Sequence, residues 1–445
     1  MMAGPRGQIF AERKPAGRIA YINARLLDPA TGLDTKGALL TDGEMIIDVG
    51  PGLFHGGVPS AVEVVDCRGA CLAPGLVDMR VQLREPGEEH KETLRTGGEA
   101  AVAGGVTSMV CLPNTDPVID DVAAVEFVAR RARLIGLAKV YPYAAATRAL
   151  EGVELAEIGL LKEAGAIAFT DGVHAIGDAR MMRRVLSYAA TYDAMVVQHP
   201  EEPSLAAGGM MNEGETSTRL GLAGIPVAAE AILLERDIRL VELTGARYHA
   251  AHLSTAAGAE IVRQAKARGL PVTADTAPPY FALNELAVGD WRTFAKLSPP
   301  LRSEDDRRAI VAAIVDGTID AIASDHAPQD QDSKRQPFAQ AECGGVGLET
   351  LLPVTLELVH NGHLTLLKAI ECLTWAPARL LGLVAGRLRA GAPADLVLFH
   401  PERAWKVDPE AQFHSKSKNS PFDGRPVQGK VLRTVVDGRC VFLGE

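Results

Sequence analysis

The chain of 445 residues carries a net charge of −10, with 47% hydrophobic and 23% charged residues, the balance of a globular protein able to bury a large core. The acidic surplus excludes nucleic acid and anionic membranes as expected partners, because both need a basic surface. No apolar run suits a membrane span, none follows Arg6, Arg13 and Lys14 as a signal peptide requires, and six scattered cysteines fit a reducing cytoplasm, the expected location.

Residues 1–17 read as a flexible tail. Residues 18–66 then show short alternating strands joined by Gly-rich turns, as does 386–445, and both read as antiparallel β structure. Together they predict one composite β-sandwich containing Asp395 and Gly438. The intervening 67–385 repeats a different unit, in which a short β-prone run ends in polar residues and an Ala-, Leu-, Glu- and Arg-rich helical stretch follows. The runs fall at 75–83, 105–114, 138–146, 165–172, 194–201, 246–254, 270–278 and 319–328. Eight β–α units over roughly 250 residues predict a (β/α)8 TIM barrel. An open doubly wound sheet ranks below it, since no Gly-x-Gly-x-x-Gly follows an early strand.

Barrels of this type gather functional groups at the carboxyl ends of their strands. Here those ends carry Arg80, Gln82, Arg84, Asn114, Asp171, His199, His252, Asp325 and His326. Each has a plain alternative: a lone strand-end His is more often structural, and Asp or Asn commonly caps a turn. Arg84 in "REPG" could simply pair with Glu85 on the surface. Convergence alters the balance, because two imidazoles and two carboxylates from four strands suit a divalent metal such as zinc. His249 lies three residues before His252, so regular alternation predicts opposite faces for the two.

With those residues laid out, the chain resembles the dihydroorotases of the amidohydrolase superfamily nearly from end to end. The resemblance is carried by "LAPGLVDMRVQLREPGEEHKET", "GGVTSMVCLPNTDPVID", "GARYHAAHLST", "PPLRSEDDRR", "GTIDAIASDHAP" and "AGAPADLVLF". It implies a zinc-assisted attack of water on the cyclic amide of dihydroorotate, reversibly giving N-carbamoyl-aspartate in pyrimidine synthesis. Asp325 matches the proton-moving catalytic residue, Asp171, His199, His252 and Asp325 match metal ligands, and Arg84 and Asn114 match residues that hold the substrate's carboxylate. Four positions depart from the family pattern. Arg80 and Gln82 stand where it has His-x-His, Ser298 where it has Asn, and Gln329 where it has His. A guanidinium has no lone pair for zinc and an amide oxygen is a weak ligand.

Three functions are therefore expected, in this order. The first is a catalytically impaired homologue that supports aspartate transcarbamoylase. The second is an active cyclic amidohydrolase that uses a single zinc on dihydroorotate or a related ring such as a hydantoin. The third is a sensor of a small acidic metabolite through Arg84 and Asn114. At most one zinc ion is expected, or none, in a homo-oligomer.

Overall fold

In the computed structural model, residues 6–11 and 17–444 are described. Seven parallel strands recur along the central region: Leu76–Val81, Val106–Cys111, Lys139–Pro142, Met195–Gln198, Arg247–Ala250, Val272–Thr276 and Ala321–Ile322. The remaining position is held by Phe169, bridged in parallel to Ala144 on one side and Val196 on the other. A parallel bridge from Val81 to His326 closes the ring. This is a (β/α)8 barrel, each of its eight predicted strand runs contributing one position.

Local chemistry explains where the helices start and stop. Thr93, Asp121 and Asp178 sit in extended conformation and accept from backbone N–H groups of the first turns of Leu94–Ala103, Val122–Ile135 and Ala179–Thr191. Gly136 ends the second of these at φ 72°, a left-handed geometry that glycine adopts without a Cβ penalty.

The strands from the two ends of the chain form one sheet; a small parallel pair, Met211–Asn212 with Gly224–Ile225, stands apart from it. Leu396–Lys406 pairs antiparallel with Pro426–Val436 on one side and with Cys71–Pro74 on the other, and Cys71–Pro74 runs parallel to Arg18–Asp28. Leu26, Leu39, Leu72, Leu396 and Val435 share one buried cluster on it. The Gly438 N–H donates to the Ala394 carbonyl, and the Asp437 N–H to Asp395. Lys139, on the third barrel strand, bridges Asp395 and Asp437 at 2.7 Å each, and so ties barrel to sheet.

Two sequence expectations need correcting here. Cys71–Pro74, grouped with the barrel in 67–385, is a sheet strand; its fully apolar run reads continuously into the first barrel strand. In the expected tail, Gln8–Ile9 pairs with Phe442–Leu443; residues 1–5 and 12–16 lie outside the described residues.

Candidate functional site

The first barrel strand does not alternate as its sequence suggests. Val77 and Met79 pack with Val110, Ala168, Val197 and Ala321, a set drawn from facing strands and therefore inside the barrel. Val81 and Leu83 pack instead with the helical Leu94 and Ala100 outside it. The parity changes because the register against the second strand slips between Asp78 and Val81. A slip of this kind re-aims side chains. Arg80 consequently points inward, only 2% exposed, with Nε 3.4 Å from Asp325 Oδ1 and Nη2 donating to the Gly172 carbonyl at 3.3 Å. Its Nη1 is buried without a protein partner.

Asp325 gathers further donors. Tyr280 donates its hydroxyl to Oδ2 at 3.3 Å, and His252 Nε2 lies 3.4 Å from Oδ1. Both Asp325 (φ 50°) and His252 (φ 55°) occupy the left-handed region, an uncommon geometry for side chains with a Cβ. At His252 that twist overturns the expectation of opposite faces. His252 Nδ1 and His249 Nε2 meet the two oxygens of Asp275 at 3.3 and 3.2 Å. The His252 backbone N–H also donates to Asp275 at 2.6 Å. Burial works to raise the Asp275 carboxyl, but His252 and His249 outweigh it and hold the group well below the usual carboxylate range. Burial, aided by the Arg80 charge, lowers His252 against the pull of Asp325 and Asp275.

The other sequence candidates divide. Asp171 is buried, yet its oxygens are already occupied. Oδ1 accepts from the N–H groups of Ala146 and Thr147 at 3.1 and 2.9 Å, and Oδ2 from the Thr147 hydroxyl at 2.5 Å. Burial raises its carboxyl, and the Thr147 bonds oppose that rise. His199 faces Ser298 Oγ at 3.3 Å and Glu201 at 3.8 Å, with its ring centroid 6.3 Å from that of His252. Asn114 donates to Gln82 Oε1 at 3.1 Å and lies against Gly172. Arg84 is committed to Glu88 at 2.7 Å, and Gln329 donates to the Cys343 carbonyl at 2.8 Å. Arg80, Asp325, His252 and Tyr280 thus form the centre, with Asp171, Asn114 and His199 around it.

Sequence reasoning passed over Asp275, Tyr280, Thr147 and Glu201. For Asp275 the signal was available: an acid at the carboxyl end of the seventh strand obeys the rule that selected Asp325. Thr147 and Tyr280 carry no such signal, since both lie just beyond the predicted strand runs 138–146 and 270–278.

The zinc set implied by the resemblance does not fit this arrangement. His252 Nε2 and Asp325 Oδ1 are spaced as two ligands of one tetrahedral ion would be, given zinc–ligand bonds of about 2.0 Å. A third is missing. Asp171 already accepts three hydrogen bonds from Thr147 and Ala146, and Arg80 stands at the first strand. No group of three or more His, Cys, Asp or Glu among the described residues is placed to hold a metal.

The chain is similar to known proteins along nearly its whole length. A family model described as Dihydro-orotase-like matches residues 69–257. A protein named Dihydroorotase from Anaplasma phagocytophilum is 49% identical over 96% of both chains. Another so named, from Syntrophotalea carbinolica, is 45% identical over 96% of this chain and 99% of its own. Among solved structures, the L-hydantoinase (dihydropyrimidinase) of Arthrobacter aurescens aligns with a TM-score of 0.84 at 25% identity, covering 95% of each chain. Its relationship supports a barrel carrying a β-sandwich.

Proposed function

This chain belongs to the dihydroorotase family, and from that premise we propose that it acts in the cytoplasm at the dihydroorotate step of pyrimidine synthesis, as a cyclic amide hydrolase. The observation that carries this reading is near-complete similarity, at 45–49% identity, to proteins named dihydroorotase. The mouth supplies groups suited to the task. In this reading Asp325 moves the proton, which is supported by its contacts with Arg80, Tyr280 and His252. Asn114 lies beside the centre, where an amide N–H can meet a substrate carboxylate. Arg84 can do the same on release from Glu88.

A second reading is favoured by one specific observation, the contact between Arg80 and Asp325. A guanidinium held on the catalytic carboxylate opposes its use as a base, which suits an impaired chain that supports aspartate transcarbamoylase. The purified protein is assayed for conversion of dihydroorotate to N-carbamoyl-aspartate, in both directions, with and without added zinc. Turnover in the usual enzyme range of about 1–1000 per second supports the hydrolase. Turnover lower by three or more orders, with co-elution of aspartate transcarbamoylase, supports the second reading. Absence of turnover, ligand binding and co-elution refutes both.

A further inference from the structure

The ligand chemistry implied by the resemblance and the residues at the mouth disagree in one consistent way: where a cation is called for, the chain supplies its own. Arg80 is 2% exposed, and a guanidinium taken out of water is unfavourable unless its charge is met. It is met here on two sides, by Asp325 through Nε and by the Gly172 carbonyl through Nη2. Gly172 directly follows Asp171, so the same side chain links the strand-one, strand-four and strand-eight positions of the barrel. The register slip between Asp78 and Val81 is what turns Arg80 inward. A divalent ion bound to Asp325 would then lie within a few ångströms of a fixed positive charge, in a buried setting where like charges repel strongly. The guanidinium and a metal are therefore mutually exclusive on Asp325.

We propose that Arg80 is a built-in cation occupying the electrostatic place of a metal ion, neutralising Asp325 so that the barrel mouth assembles without a metal. The assignment concerns how the mouth is held together and stands whichever of the two readings above describes its activity.

The full chain, produced in zinc-supplemented medium, is analysed for metal and then melted with and without a strong chelator. The expected result is less than about 0.1 zinc per chain and an unchanged Tm, because only a bound ion stabilises by mass action. About one zinc per chain with Arg80 intact, or a Tm lowered by chelator, overturns the proposal. Charge neutralisation is tested separately. Arg80→Gln is expected to lower Tm by roughly 3–5 °C, because it strands a carboxylate. Adding Asp325→Asn to Arg80→Gln is expected to restore at least about half of that loss, since partners in one pair are not additive. A double variant no more stable than Arg80→Gln overturns the neutralising role. If Arg80→Gln fails to fold, the metal content and chelator melt of the parent chain still decide.

Discussion

Replacing Asp275 with asparagine tests whether the mouth depends on a residue that binds nothing itself. Asp275 is buried between His249 and His252 and also receives the His252 backbone N–H. Asparagine keeps one oxygen for that backbone donor but removes the charge shared by both imidazoles, and its amide N–H₂ faces one of them. Two buried contacts between imidazole and carboxylate are lost, and breaking a buried pair costs about 3–5 kcal/mol. The retained backbone bond limits the total to roughly 3 kcal/mol, or more than a hundredfold in the folding equilibrium. The sign of the pH dependence follows from the depressed Asp275 carboxyl. Its contribution is present above the unfolded value of about 3.9 and is lost as pH falls toward the lower folded value. Urea midpoints for the parent and Asp275→Asn should therefore differ at pH 7 and draw together below about pH 4. Equal midpoints at pH 7, or a difference that persists undiminished at pH 3, would refute this account of Asp275.

Asp78→Asn acts in the opposite sense. Burial pushes the Asp78 carboxyl up to about 6, so the parent chain loses stability as pH rises from about 4 through 6, by up to about 3 kcal/mol; the variant's melting profile should be flatter over that interval. Thr147→Val removes the hydroxyl on Asp171 and should cost about 1–3 kcal/mol in urea unfolding. Arg80→His combined with Gln82→His should raise zinc toward about one ion per chain; elemental analysis showing no gain means that the later strands do not complete the ligand set. In the hydrolytic reading Asp325→Asn lowers kcat by about 10²–10⁴-fold, and a smaller loss in the turnover assay removes Asp325 from the role of proton carrier.

The barrel was legible in the sequence because its signal is additive: eight β-prone runs, each followed by a helical stretch, tolerate an error at any one of them. The composite sheet was legible from turn chemistry at both ends, though its inner strand Cys71–Pro74 was not, because two buried strands in succession leave no polar boundary. The site was only partly legible, and the misses share a cause. Arg80 stands out in the sequence as a departure from His-x-His; in the fold it turns inward onto Asp325, and at strand four it meets the Gly172 carbonyl, not Asp171. Nothing in residues 165–172 reveals that Thr147, from a neighbouring strand end, has already satisfied that carboxylate. Strict two-residue alternation failed at Asp78–Val81 and again at His252, where a register slip and a positive φ intervene. Alternation describes a regular strand, and this mouth is built where the strands stop being regular.

Interleaving both chain ends in one sheet also sets a timetable for biosynthesis. As the chain emerges from the ribosome, Cys71–Pro74 can lie beside Arg18–Asp28, but its other neighbour, Leu396–Lys406, is made more than three hundred residues later. At about 5–20 residues per second that interval is roughly 15–65 s. The nascent protein spends it with a buried-type strand presenting open backbone groups, the feature that invites pairing with another chain. The C-terminal strands thus cover an edge that has been waiting since early in translation, and a ribosome stalled before residue 396 leaves that edge uncovered.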